Sequence, residues 1–232
     1  MDKSFKIQSP RLLAVEGKDE CNFFEALLKR MGIQGIQLLD IGGKDKFKDE
    51  FDSLHVLREF PNVRALGLIR DAENKKAHAA FSSIRSILEK YPPLPVPTNT
   101  DTVIDGKNHR GKDIRIGVFI MPNNIDAGML EDLCLESVRE EPVFACVNQY
   151  MNCCLSALPE DERPRNRSKT KVQTYLAARK EIVNSLGVGA RNGYWNLDHA
   201  CFHDIKQFLR ALFAGGDLSE QRDTDNIARD KT

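Results

Sequence analysis

Arg11-Leu12-Leu13-Ala14-Val15-Glu16-Gly17-Lys18-Asp19-Glu20 is the stretch on which the fold turns. A short apolar run stops abruptly at a glutamate and a glycine, as a buried strand does at a turn. Phe24, Leu27, Leu28 and Met31 then recur at helical spacing, and Gly32 closes that helix. The strand-then-helix pattern repeats twice. Ile36 to Ile41 runs into Gly42-Gly43 and a helix marked by Phe47, Phe51, Leu54 and Leu57. Val63 to Ile69 runs into Arg70-Asp71-Ala72-Glu73 and a helix marked by Ala77, Ala80, Phe81, Ile84 and Leu88. Tyr91-Pro92-Pro93-Leu94-Pro95-Val96-Pro97 lacks the N–H donors of a helix or central strand and opens a polar loop reaching about Lys112. A fourth strand, Ile114 to Met121, ends at Pro122-Asn123-Asn124.

Beyond it, helices are predicted near 127–139, 142–157, 168–186 and 200–213, and a disordered tail from about Gly215. The fold class is therefore α/β, a central parallel sheet flanked by helices with a helix-rich C-terminal half. One domain over 1–214 and a tail over 215–232 are expected. Right-handed crossovers place the carboxyl ends of all four strands at one edge, where ligands of such sheets bind.

Composition narrows the classes. Apolar residues at 41% and charged residues at 29% describe a globular chain, not a disordered one. No apolar run approaches the roughly 18 residues of a membrane span, and Met1-Asp2-Lys3-Ser4-Phe5-Lys6 has no secretory signal character. The six cysteines have no CxxC spacing and read as reduced and structural, so a cytoplasmic protein without membrane contact is expected. Cys134, Cys146 and Cys153, in apolar helical segments, read as small core residues. His199 and His203, one turn apart, have Asp204 as their only close acidic neighbour and no glutamate between them, so they read as structural and not as a zinc pair. The 34 basic and 34 acidic residues cancel, so any hold on a polyanion must come from a local patch.

The predicted strand ends carry acids. Glu16 closes the first strand with Glu20 one helical turn on, Asp71 closes the third with Glu73 two residues on, and Asp126, Glu131 and Asp132 follow the fourth. Carboxylates gathered on one edge repel one another and lose hydration, a cost that a cation removes. Hard oxygen ligands suit Mg²⁺ or Mn²⁺. Each acid also has a plainer reading as a first-turn helix residue favoured by the macrodipole or simply solvated. Arg163, Arg165, Arg167, Lys169 and Lys171 place five cations at every second position, either a solvated linker or a strip for phosphates. Trp195 reads as packing on the sheet in preference to stacking on a base.

Val15-Glu16-Gly17-Lys18-Asp19-Glu20 resembles the first motif of the TOPRIM domain, and Ile69-Arg70-Asp71-Ala72-Glu73 resembles its Asp-x-Asp motif, with Glu73 in place of the second aspartate. Together with Ile41-Gly42-Gly43-Lys44, Ile120-Met121-Pro122-Asn123 and Gly128-Met129-Leu130-Glu131-Asp132, these resemble an uncharacterised prokaryotic TOPRIM-like family related to OLD-type nucleases, over about residues 10–212. The resemblance implies a metal-dependent nuclease, in a phage-defence or nucleic-acid-processing setting. Its implied metal ligands are Glu16, Glu20, Asp71, Glu73, Glu131 and Asp132, with Lys169 or Lys171 assisting catalysis by Glu16 and Asp71. DNA or RNA is the implied partner, together with a separate ATPase, because no Walker A motif is present. A non-catalytic module that binds nucleic acid or protein is the other class.

Overall fold

The computed structural model describes residues 6–100 and 102–214; the expected tail and the first five residues lie outside the described residues. Five strands form one sheet: β1 (Arg11–Val15), β2 (Gln37–Asp40), β3 (Ala65–Asp71), β4 (Val103–Lys107) and β5 (Asp113–Met121). Their order is β2-β1-β3-β5-β4. The first four in that order run parallel, and β4 lies antiparallel on the outer side of β5. The α/β reading with a mostly parallel, helix-flanked sheet is what the chain forms.

β3 is the centre. It pairs with β1 from Arg11↔Ala65 to Ala14↔Leu68, and with β5 from Ala65↔Arg115 to Asp71↔Met121. Its first five residues are all buried, which requires cover on both faces. Alternation along the strands divides the core in two: Leu13, Val15, Ala65 and Ile69 enter one cluster, and Leu12, Ala14, Leu66 and Leu68 the other. The second cluster is closed by α2 (Phe47–His55) and α3 (Ala77–Leu88). The first is closed by α1 (Lys18–Met31), α4 (Leu130–Glu136), α5 (Pro142–Ala157), α6 (Arg167–Ala177), α7 (Leu186–Arg191) and α8 (His203–Phe213).

α8 lies directly on the sheet because two paired glycines make room for it. At Gly67, opposite Gly117, an added Cβ would come within 2.6 Å of Leu212 Cδ2; at Gly117 one would come within 2.7 Å of Phe208 Cε2. No described helix is long and apolar enough to cross a membrane.

Four expectations need correction. The loop from Tyr91 to Lys112 contains β4, a half-exposed edge strand whose Asp105 carboxylate pairs with Arg115 of β5 at 2.7 Å. The helix expected over 168–186 stops at Ala177, and a separate α7 begins after Ser185, whose hydroxyl accepts from the Val188 N–H at 3.2 Å. Cys146 and Cys153 are exposed on α5, while Cys134 is buried; all six cysteines are free thiols. Trp195 is buried, but it stacks on Tyr175 of α6 (centroids 5.0 Å apart) and donates to the Leu186 carbonyl of α7 at 2.9 Å.

Asp19 explains why α7 sits where it does. From the first turn of α1 its carboxylate accepts the Ser185 hydroxyl, the Leu186 N–H at 3.0 Å and the Gly187 N–H at 2.6 Å. The two helices touch so closely that a Cβ at Gly187 would lie 2.5 Å from Asn22 Cβ. Asp19→Ala strands these donors and is expected to lower the unfolding free energy by about 2 kcal/mol. Urea denaturation should show a lower midpoint at unchanged slope.

Candidate metal centre

β1 and β3 end side by side, so Glu16 and Asp71 emerge together. Glu16 Oε1 accepts the Asp71 backbone N–H at 3.1 Å, and the Glu16 carbonyl accepts the Gly43 N–H at 2.7 Å. Arg70 Nε stands 3.7 Å from Glu16 Oε1, with both side chains largely buried. That distance is electrostatic attraction without a hydrogen bond, and Arg70 Nε is left without a hydrogen-bond partner. Asp71 Oδ1 accepts the Leu130 N–H at 3.1 Å, the first of α4. Glu20 folds back over its own helix start, with Oε2 2.9 Å from the position of a Cβ on Gly17. Glu131, in the first turn of α4, lies 3.7 Å from Lys169 Nζ of α6.

All four carboxyls are pushed above the usual carboxylate range. For Asp71 the shift is large: burial is the main cause, then the charges of Glu16, Glu131 and Glu20, partly offset by the Leu130 N–H. Burial also leads at Glu16, where the Asp71 N–H and Arg70 pull the other way. At Glu20 and Glu131 burial leads again, and Lys169 opposes it at both. Lys169 therefore acts across Glu20 and Glu131 together, which links α6 to the cluster.

The remaining expected residues divide. Glu73 points to Lys44, with which its carboxylate is ion-paired. Asp132 is committed to structure: one oxygen accepts the Met129 N–H at 2.8 Å as an N-terminal cap, and the other accepts the Ser168 hydroxyl at 2.5 Å, tying α4 to α6. Asp126 receives the Asn123 side-chain amide at 2.8 Å within the turn after β5. Of the two lysines it is Lys169 that lies within ion-pair distance of an acid; Lys171, two residues along, starts from the opposite side of the helix. Arg163 donates to the Leu158 carbonyl at 3.2 Å, whereas Arg165 and Arg167 are exposed.

A cleft of about 10 Å³ lies among Glu16, Glu20 and Asp71, floored by Val15, Ile69 and Met121. That is roughly the room one water-sized body needs. Its three carboxyls are hard oxygen ligands of the kind that suits Mg²⁺ or Mn²⁺, and Arg70 also lines the wall. Among the described residues no three acidic, histidine or cysteine side chains are already close enough to hold an ion. Donor chemistry and space both fit a small divalent ion.

Sequence reading passed over Arg70 and Lys44 as partners of the acids, and Ser168 as the link to α6. Lys44 alone left a signal, a lysine directly after the glycine pair that ends β2.

A family model described as "Protein of unknown function (DUF3226)" matches residues 10–214. No curated protein sequence matches the chain. Among solved structures, the chain is similar to the C-terminal region of the OLD protein of Xanthomonas campestris pv. campestris, at 12% identity and a TM-score of 0.47, over 89% of this chain and 97% of that one. It is also similar to the C-terminal region of the OLD protein of Burkholderia pseudomallei, at 14% identity and a TM-score of 0.47, over 89% and 100%.

The raised carboxyls give a stability test. A carboxyl whose folded pKa lies above its unfolded value costs no stability below both values. It destabilises the fold increasingly as pH rises from the unfolded value through the folded one. Without metal, Asp71→Asn is therefore expected to be more stable than wild type at neutral pH, and the gap should close as pH falls toward the ordinary value of 3.8. Mn²⁺ should stabilise the wild type and not the variant. Urea denaturation across pH, with and without the ion, measures both.

Proposed function

Since the chain belongs to the DUF3226 family of proteins of unknown function, its activity has to come from its own site, and we propose that it is a Mg²⁺- or Mn²⁺-dependent nuclease. The observation that carries this reading is the cleft at the end of the central strand into which β1, α1 and β3 bring Glu16, Glu20 and Asp71 together. The motif resemblance to TOPRIM nucleases supports the same choice. Glu16 and Asp71, with Glu20 and Glu131, would hold the ion, which when bound supplies polarisation of phosphate oxygens and a more acidic water.

The chain's own residues provide the rest. Arg70 and the Asp71 N–H hold Glu16 in place. Lys169, at the rim beside Glu131, offers a cation to negative charge developing on the phosphate. Exposed Arg165 and Arg167 precede it and offer phosphate contacts along a strand of DNA or RNA, while Arg163 anchors the segment. A separate ATPase is proposed as regulator, in a cytoplasmic phage-defence or nucleic-acid-processing system.

One observation favours the non-catalytic alternative: Glu73 and Asp132 already have protein partners, which leaves fewer carboxylates available as ligands.

Glu16→Gln is nearly isosteric and keeps an acceptor for the Asp71 N–H, so it is expected to abolish Mn²⁺-dependent cleavage without unfolding the protein. Lys169→Ala should lower kcat about 100-fold with little change in KM. Assays should use DNA and RNA, with and without an ATPase partner. A wild type that cleaves neither, beside a Glu16→Gln variant that binds both normally, decides for the binding module. Replacing Arg165 and Arg167 with alanine should reduce the salt slope of binding by about 0.9 for each phosphate that an arginine no longer neutralises.

A further inference from the structure

Five acids surround the candidate centre, and three of them already have a cation. Glu16 faces Arg70 at 3.7 Å, Glu131 faces Lys169 at 3.7 Å, and Glu73 is bonded to Lys44. Asp71 has no such cation, and Glu20 shares Lys169 with Glu131. Asp40, one strand further out, accepts the Gly42 N–H at 2.8 Å and adds its charge to those acting on Glu20.

The Lys44–Glu73 pair is built from both sides. Gly43, at φ +112 in a region that side chains rarely adopt, makes the turn after β2, and its N–H bonds the Glu16 carbonyl at 2.7 Å. That turn delivers Lys44 to the edge of the site. Glu73 has φ +56, a left-handed conformation that a glutamate adopts only when its surroundings impose it. Two backbone bonds with Gly128, each 2.8 Å, impose it here. Glu73 is thereby aimed at the ammonium by a fixed backbone. An ion could take Glu73 as a ligand only by displacing Lys44 and accepting that cation's repulsion.

We propose that Lys44 is a positioning residue that serves as a built-in cation, occupying Glu73 and limiting the site to a single divalent ion. The inference rests on the metal reading above. It differs from that reading in assigning stoichiometry and the residue that sets it. The ammonium's charge stays beside the phosphate whatever the ion concentration, while that of the exchangeable ion follows its occupancy.

The test is a titration with Mn²⁺ followed by loss of the free-ion paramagnetic resonance signal, on wild type, Lys44→Met and the Lys44→Met/Glu73→Gln double variant. The pair is more than one-third exposed at each end, so little stability should be lost, and thermal unfolding checks this. One ion per chain in the wild type, two in Lys44→Met and one again in the double variant is the expected result. Two ions in the wild type, or one in Lys44→Met, overturns the role of Lys44 and leaves the metal centre standing. No ion in any of the three removes the metal centre itself, and the inference with it.

Discussion

Parallel strands hydrogen-bonded side by side must end side by side. β1, β3 and β5 are held in that relation by an unbroken ladder, and β3 and β5 run past β1 together, ending with Asp71 paired to Met121. Every other feature of the acidic edge follows from that constraint. Glu16 has no freedom to stand elsewhere, because the last residue of β1 paired with β3 is two positions before it and the Asp71 N–H meets its carboxylate. α4 is anchored at the same point through the Leu130 N–H on Asp71.

The fold spends stability at this edge and recovers part of it locally. Burying carboxyls raises their pKa values, because low-dielectric surroundings disfavour the charged form. Arg70, Lys44 and Lys169 offset some of the cost, each from a different element, so the compensation depends on β3, the turn after β2 and α6 all being in place. Asp19 and Asp132 show the contrast: both are engaged by neutral donors that cap helices.

Much of this was legible in the chain. Buried strands read as apolar runs and stop at acids or glycines, so β1 and the ends of β3 and β5 were found within a residue or two, and with them Glu16 and Asp71. β4 was hidden because an edge strand is half-exposed and Val103-Ile104-Asp105-Gly106-Lys107 carries little apolar signal beside a proline-rich loop. The break between α6 and α7 was hidden because the residues between them do not by themselves forbid a helix. The break is fixed from outside, by Asp19 reaching across from α1. Ion pairs such as Lys44–Glu73 escape pattern reading altogether, since they depend on backbone angles at Gly43 and Glu73 that only the assembled structure sets. Cys146 and Cys153 looked like core residues because α5 has no charged side chain, yet only Val147 and Met151 of that helix are buried.

The hydroxyl of Ser168 on Asp132 has a consequence for biosynthesis. The acids at 16, 71 and 131 are complete well before the chain reaches α6, but Lys169 reaches Glu131 only after that clasp closes. A ribosome releasing this chain from its N-terminus exposes the whole sheet first and the lysine that pairs with Glu131 afterwards. The unfinished polypeptide therefore carries the acids without the lysine, and Glu131 gains its cation only when the late helix docks.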